Sequence, residues 1–253
     1  MIRQKLLTAI LAVSFLLPLS GEAAMYVSDA EEQVRLIASE RMVWDIAVPS
    51  IETVGYTVTD IDHNGRLEIW VSEMGGTGTY TYTNVYEVNE RKDGLVPCGL
   101  PWKNGESEPD VMIREWVLSF ANGMDGKEWY VFEDVGKEGH LPRESYWALS
   151  LDNGLLHTRY LGKRGFYFDR EGNLYSSCYN KDGDNVPNIQ YELIGSEAFP
   201  YSEPKWVHMA WLKVFRWDWQ EWEEKNEDSV YFMLLDTYMN FTGEKRGIWL
   251  RIH

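Results

Sequence analysis

The sequence predicts a mainly β protein of the α+β class: an antiparallel meander or curled sheet with an N-terminal helix and a C-terminal Trp-rich helix. Three observations predict it. Between Thr53 and Tyr201, short alternating or β-branched segments recur, among them TVGYTVTDI, RLEIWVSEM, TYTYTNVYEV, EWYVFEDV and ESYWALSL. Turn signals separate them at Asn64-Gly65, Asp93-Gly94, Asn122-Gly123, Asn153-Gly154, Glu171-Gly172-Asn173 and Lys181-Asp182-Gly183. On both sides of this stretch, the apolar spacing changes to that of a helix.

Residues 1–23 read as a secretory signal peptide. Arg3 and Lys5 precede an apolar run from Leu6 to Leu19, and small residues follow at Ser20, Gly21, Ala23 and Ala24, with cleavage expected after Ala23. The run is shorter than the roughly 20 residues of a membrane span, an uncleaved anchor being the alternative. The mature chain is therefore expected to be secreted or on the periplasmic or cell-envelope exterior, with no membrane contact after cleavage.

Residues 24–253 are expected to form one domain, because no Pro- or Ser-rich linker and no internal repeat interrupts them. Within 24–50, SDAEEQVRLIASERMVWDI predicts a helix from Ser28 to about Ile46. Ser28 or Asp29 would cap it, Val34, Ile37, Met42 and Trp44 mark its apolar side, and Pro49 ends it. Residues 51–201 form the β-meander. In 202–253, KWVHMAWLKVFRWDWQEW places Val207, Trp211, Phe215, Trp219 and Trp222 at near-helical spacing, predicting a helix capped by Ser202. The tail VYFMLLDTYMNF, TGEKRG, IWLRI reads as a closing hairpin or a helix plus strand.

The chain has 24 Lys plus Arg against 40 Asp plus Glu, a net charge of -16, and such a surface repels phosphate backbones. Nucleic acid is excluded as a partner. Cys98 and Cys178 are the two cysteines, and in an exported chain they are expected to pair as a disulfide, the alternative being two buried thiols. No Cys-x-x-Cys, Gly-x-Ser-x-Gly or His-Glu-x-x-His occurs. Gly75-Gly76-Thr77-Gly78-Thr79 lacks the lysine and the following helix of a phosphate cradle.

One motif carries chemistry. Residues 60–69, DIDHNGRLEI, alternate Asp60, Asp62 and Asn64, reverse at Gly65 and return a carboxylate at Glu68. Calcium takes six to eight oxygen ligands, so the side chains of Asp60, Asp62, Asn64 and Glu68 with the Arg66 carbonyl would supply about five and leave room for water. An EF-hand would need glutamate at the twelfth position, which is Val71, and helical flanks where strands are expected. The alternative is an Asp/Asn-rich turn that caps its own backbone without metal. Asn180-Lys-Asp182-Gly-Asp184-Asn185 has similar spacing but no later acid, and reads as a turn.

The loop resembles the strand–loop–strand calcium motif of FG-GAP and VCBS-type repeats, D-x-D-x-D-G-x-x-D/E. The stretch from Tyr56 to Glu90 is similar to secreted bacterial proteins of unassigned function that carry one such loop before β-rich sequence. It departs from the repeat in having Asn64 at the third acidic position, which removes a charge, and in occurring once, whereas a propeller needs several copies.

The leading expectation is an exported, non-enzymatic binding or structural protein with a calcium-stiffened β-loop and no assigned catalytic or organic-cofactor residue. The alternative is a carbohydrate-active hydrolase or sugar-binding module, with an acid pair and platforms from Trp206, Trp211, Trp217, Trp219 and Trp222. A carbohydrate or protein partner fits either reading.

Overall fold

A computed structural model describes residues 20–46, 52–75, 80–99, 114–121, 126–138, 141–189 and 204–243. Two helices open the chain, α1 (Ser20–Ser39) and α2 (Arg41–Trp44). The strands are β1 (Thr53–Thr59), β2 (Glu68–Gly75), β3 (Tyr80–Val88), β4 (Leu95–Pro97), β5 (Trp116–Phe120), β6 (Trp129–Glu138), β7 (Leu141–Asp152), β8 (Leu155–Phe168), β9 (Leu174–Asn180), β10 (Asn185–Val186), β11 (Lys205–His208) and β12 (Leu212–Phe215). A 3₁₀ turn (Arg216–Asp218), α3 (Trp219–Glu224) and α4 (Glu227–Phe241) follow. The class is mainly β with helices at both ends, as the sequence predicts.

The strands form two antiparallel sheets. The first has the order β12-β1-β2-β3-β4, and the second, curled one has the order β10-β9-β8-β7-β6-β5-β11. Each is a meander extended by one strand from the C-terminal segment. Asn153-Gly154 makes the tight β7–β8 turn that its dipeptide predicts, with φ of 51° and 71°. Gly162 sits beside a register shift between Tyr146 and Trp147, where a Cβ would lie 2.1 Å from the Tyr179 carbonyl oxygen. Only glycine fits that approach.

Alternation sorts the core into layers. Val54, Tyr56, Val58, Ile69 and Val71 face the helices, packing against Val34 and Ile37 of α1 and Val230 and Leu234 of α4. Trp70 and Val85 face the second sheet, meeting Val117, Tyr130, Phe132, Leu149 and Leu151. The far face of the second sheet holds its own cluster, including Phe120, Trp129, Tyr146 and Leu161. The sheets are stitched where the Gly99 amide donates to the Gly154 carbonyl and Gly99 accepts from the Leu156 amide, both at 2.8 Å.

Several expectations are corrected. The N-terminal helix begins at Ser20 rather than Ser28, since EAAM contains helix formers and no breaker, so Ser28 and Asp29 are interior rather than caps. It also breaks at Glu40, where the Trp44 indole turns back to donate to the Ile37 carbonyl at 2.7 Å. Residues 205–215 are two strands, not a Trp-rich helix, and the C-terminal helix is α4, capped by Asn226 accepting from the Ser229 amide at 2.9 Å. Cys98 and Cys178 are both free thiols. Cys98, just past β4, is buried between the sheets and Cys178 in β9 packs against the cluster on the far face, so the two thiols sit in separate layers. The leader assigned to 1–23 lies outside the described residues except for 20–23, which open α1, and 76–79 and 244–253 also lie outside. Among the described residues, no helix is long and apolar enough to cross a membrane.

The tryptophans of 206–222 do not form one strip. Trp211 and Trp222 are buried, while Trp206 and Trp217 are 51% and 76% exposed. Trp211 enters the core between the sheets and donates its indole N–H to the Arg114 carbonyl at 2.8 Å. Phe215, on the apolar side of the expected helix, is only half-buried and stacks on Trp217 at 4.8 Å. Trp211→Ala is expected to cost about 3–5 kcal/mol in urea unfolding. Trp217→Ala should stay within about 0.5 kcal/mol, as surface changes usually do.

Candidate metal centre

The β1–β2 connection gathers carboxylates where the two central strands part. Thr59 and Glu68 face each other on the last rung, which turns both side chains to one side. Glu68 is fully buried. Its Oε2 accepts from Thr59 Oγ1 at 2.7 Å and from the Ile61 amide at 3.0 Å, and Trp70 Nε1 braces Thr59 by donating to its Oγ1 at 2.9 Å. Its Oε1 is buried with no hydrogen-bond partner. A carboxylate oxygen in that position costs free energy unless something positive meets it.

Oxygens of Asp60, Asp62 and Glu68 all lie within 4.8 Å of one another. Two oxygens bound to one calcium ion at about 2.3–2.6 Å are at most about 5 Å apart, so the spacing is that of a shared cation. Burial pushes the Glu68 carboxyl well above its ordinary range, raises Asp60, and lifts Asp62 to about 6, where Glu87 and Asp60 add like-charge repulsion. Arg66 and His63 offset this only in part: Arg66 Nη2 donates to both oxygens of Glu87 at 3.0 Å and His63 Nε2 pairs with Glu128, and the aspartates stay raised. Three oxygens with disfavoured charges and no nitrogen or sulfur donor among them fit a hard cation.

The loop is shaped by its own backbone bonds and by neighbours distant in sequence. The Gly65 amide donates to Asp60 Oδ1 at 3.3 Å and the Asn64 amide to Asp62 Oδ1 at 3.2 Å, with Gly65 at φ 77° and His63 at φ 56°. Left-handed backbone at a non-glycine residue is a mark of imposed geometry. Asn64 turns its carboxamide to the loop: Oδ1 accepts the Arg66 amide, and Nδ2 donates to Asp62 Oδ2 and Glu87 Oε1. So the structure brings together Asp60, Asp62 and Glu68, while Asn64 and the Arg66 guanidinium tie the loop to β3.

Three further residues position the site and were not singled out in the sequence. Gln33, buried in α1, donates from Nε2 to the Gly65 carbonyl at 2.8 Å and accepts the Leu67 amide at 2.9 Å. Its signal was a polar residue set among Ala30, Val34 and Ile37 on an apolar helix face. Glu87 occupies an inward position of β3, in step with Thr83 and Val85. Glu128 pairs with His63 Nε2 at 2.8 Å and accepts a short hydrogen bond from Ser119 Oγ. Both donors share one carboxylate, so the imidazole does not stand between hydroxyl and acid as a nucleophile-activating triad requires.

Beyond Asp62, a cleft of about 610 Å³ opens between the two sheets. Its walls come from the β1–β2 loop, the β5–β6 connection and the β7–β8 turn, and none of the described tryptophans lines it. The other Asp/Asn-rich segment behaves as a turn: Asn180 Oδ1 accepts the Asp182 and Asp184 amides at 3.0 and 2.9 Å. No family model, curated protein or solved structure matches the chain.

Proposed function

We propose that this is an exported, non-enzymatic binding or structural protein in which a calcium ion held by Asp60, Asp62 and Glu68 stiffens the β1–β2 loop. The observations that carry the reading are the fully buried Glu68 carboxylate, whose Oε1 has no hydrogen-bond partner, and an oxygen of that carboxylate within 4.8 Å of oxygens of Asp60 and Asp62. A divalent cation satisfies that oxygen and removes the repulsion among three carboxylates in one step. The signal-like residues 1–23 support export into a calcium-rich compartment, where a weak site fills. The shared use of Glu128 by His63 and Ser119 supports binding over catalysis.

The ion binds in the range of extracellular modules, at roughly 10⁻⁴–10⁻³ M. At ten times its dissociation constant it adds about 1.4 kcal/mol of stability. Thermal melts in calcium and in chelator are expected to separate, and Asp62→Ala should bring them together. Superimposable melts of the unaltered protein in the two conditions would rule the ion out.

A further inference from the structure

We infer that the cleft beside the loop is a calcium-dependent site for a neutral polyhydroxylated ligand, a sugar whose hydroxyls complete the ion's coordination shell. This rests on the calcium reading of Asp60, Asp62 and Glu68. Three features of the molecule point to it.

The first is incomplete coordination. Glu68 offers only Oε1, since Oε2 already serves Thr59 and Ile61. With Asp60 and Asp62 the carboxylates supply about three oxygens, against the six to eight that calcium takes. The inner side of the cluster is closed by buried Glu68, Ile61 and Trp70. Asp62 belongs both to the cluster and to the wall of the cleft, so the cluster borders the open space.

The second is charge. Three carboxylates and a divalent cation sum to one negative charge, and the wall adds little that would favour an anion. Lys127 pairs with Asp152 at 3.1 Å, His63 with Glu128 at 2.8 Å and Arg66 with Glu87 at 3.0 Å. On a chain of net charge -16, a phosphate or carboxylate ligand meets repulsion at long range as well. A hydroxyl is a neutral oxygen donor and avoids both.

The third is the lining. Asn64, Lys127, Glu128, Asp152 and Asn153 place donors and acceptors around the space, and among the described residues Ala121 and Leu151 are its only apolar side chains. Among the described residues, an apolar ligand finds little to bury against. A ligand that both donates and accepts hydrogen bonds along its length is matched, and a volume of about 610 Å³ is within the usual range for small-molecule sites. The platform expected from Trp206 to Trp222 is not involved, so the sugar reading moves to a different face of the molecule.

The test is an amide NMR titration of the labelled, full-length protein, first with calcium alone. Neutral mono- and disaccharides of glucose, galactose and mannose follow, with glucuronate and inorganic phosphate as charged probes. Calcium should shift the amides of 60–68. With calcium present, at least one neutral sugar should shift 62–64, 126–128 and 151–153, and chelator should abolish that response. The charged probes should bind at least about tenfold more weakly, a difference of about 1.4 kcal/mol. Asp152→Ala should leave the calcium response in place and weaken the sugar about tenfold. If calcium moves the loop but no neutral sugar moves the three wall segments, the sugar site is wrong and the ion stands. If a sugar binds equally well in chelator, the coordination role is wrong. If calcium moves nothing, both readings fall together.

Discussion

Glu68→Gln is expected to act in opposite directions with and without calcium. In chelator at neutral pH the variant should be more stable than the unaltered protein, by roughly 1–2 kcal/mol, within the cost of a buried polar group left without a partner. The glutamine oxygen can keep the bonds from Thr59 and Ile61, and its amide then stands where the unpartnered Oε1 stood, as a neutral donor in a cluster shared with Asp60 and Asp62. The sign follows from protonation. Burial holds the Glu68 carboxyl well above its unfolded value, so the ion-free folded state binds the proton more tightly than the unfolded chain. Its favourable contribution is complete below the unfolded carboxyl value of about 4.3 and is lost as pH rises through the folded value. The glutamine advantage should therefore widen with rising pH. In saturating calcium the order reverses, because the variant forfeits the ion's stabilisation of about 2.7 kcal/mol at a hundred times the dissociation constant. Urea midpoints in both conditions across pH measure this directly; curves that never cross would contradict the metal centre.

Trp222→Ala should be the most damaging single truncation on the helical side, at about 4–5 kcal/mol, near the upper end for aromatic-to-alanine changes. The indole is 1% exposed and stacks on Tyr56 with ring centroids 5.0 Å apart. Its N–H donates to Asp45 Oδ2 at 2.9 Å, and the Arg41 guanidinium lies 4.3 Å above the ring. Asp45 also accepts from Tyr56 Oη at 2.5 Å and from Arg41 Nε at 2.7 Å, so one carboxylate joins α2, β1 and α3. Trp222→Phe keeps much of the stack and removes one charge-assisted donor, for a smaller loss of roughly 1.5–3 kcal/mol. Equal losses for the two variants would place the effect in the hydrogen bond rather than the packing.

The contrast between readable and unreadable parts follows the range of the interactions. TVGYTVT, TYTYTNVYEV and the Asn153-Gly154 turn declare themselves because alternation and left-handed turn residues are local properties. The stretch 205–215 misleads because Val207, Trp211 and Phe215 fit a helical spacing, while Val207, Met209 and Trp211 fit an alternating one equally well. Pairing with β5 and β1 decides between them. The aromatic and β-branched residues in KWVHMAWLKVF weighed toward strand. At the site, Asp60, Asp62 and Glu68 are visible as a spacing within nine residues. Gln33, Glu87 and Glu128 are not, because their roles exist only once α1, β3 and the second sheet have reached the loop. The cysteines fail as a pair for the same reason: a chemical expectation about two thiols says nothing about which layers they occupy.

β11 and β12 are separated by three residues, yet one closes the edge of the second sheet beside β5 and the other closes the first beside β1. The β1–β12 contact spans the chain from Thr53 to Phe215, so the earliest strand waits for one of the latest. Pairings of such long range are slow to form, since loop closure must precede any gain from contact. Until residues 205–215 arrive, the backbone groups of TVGYTVT and WVLSF on those sides have no strand partner, and both segments are apolar enough to recruit another chain. The hazard of this topology is thus one of timing: a chain interrupted before Pro204 is left with two sticky edges at once, and its route of failure is self-association during synthesis rather than gradual loosening after it.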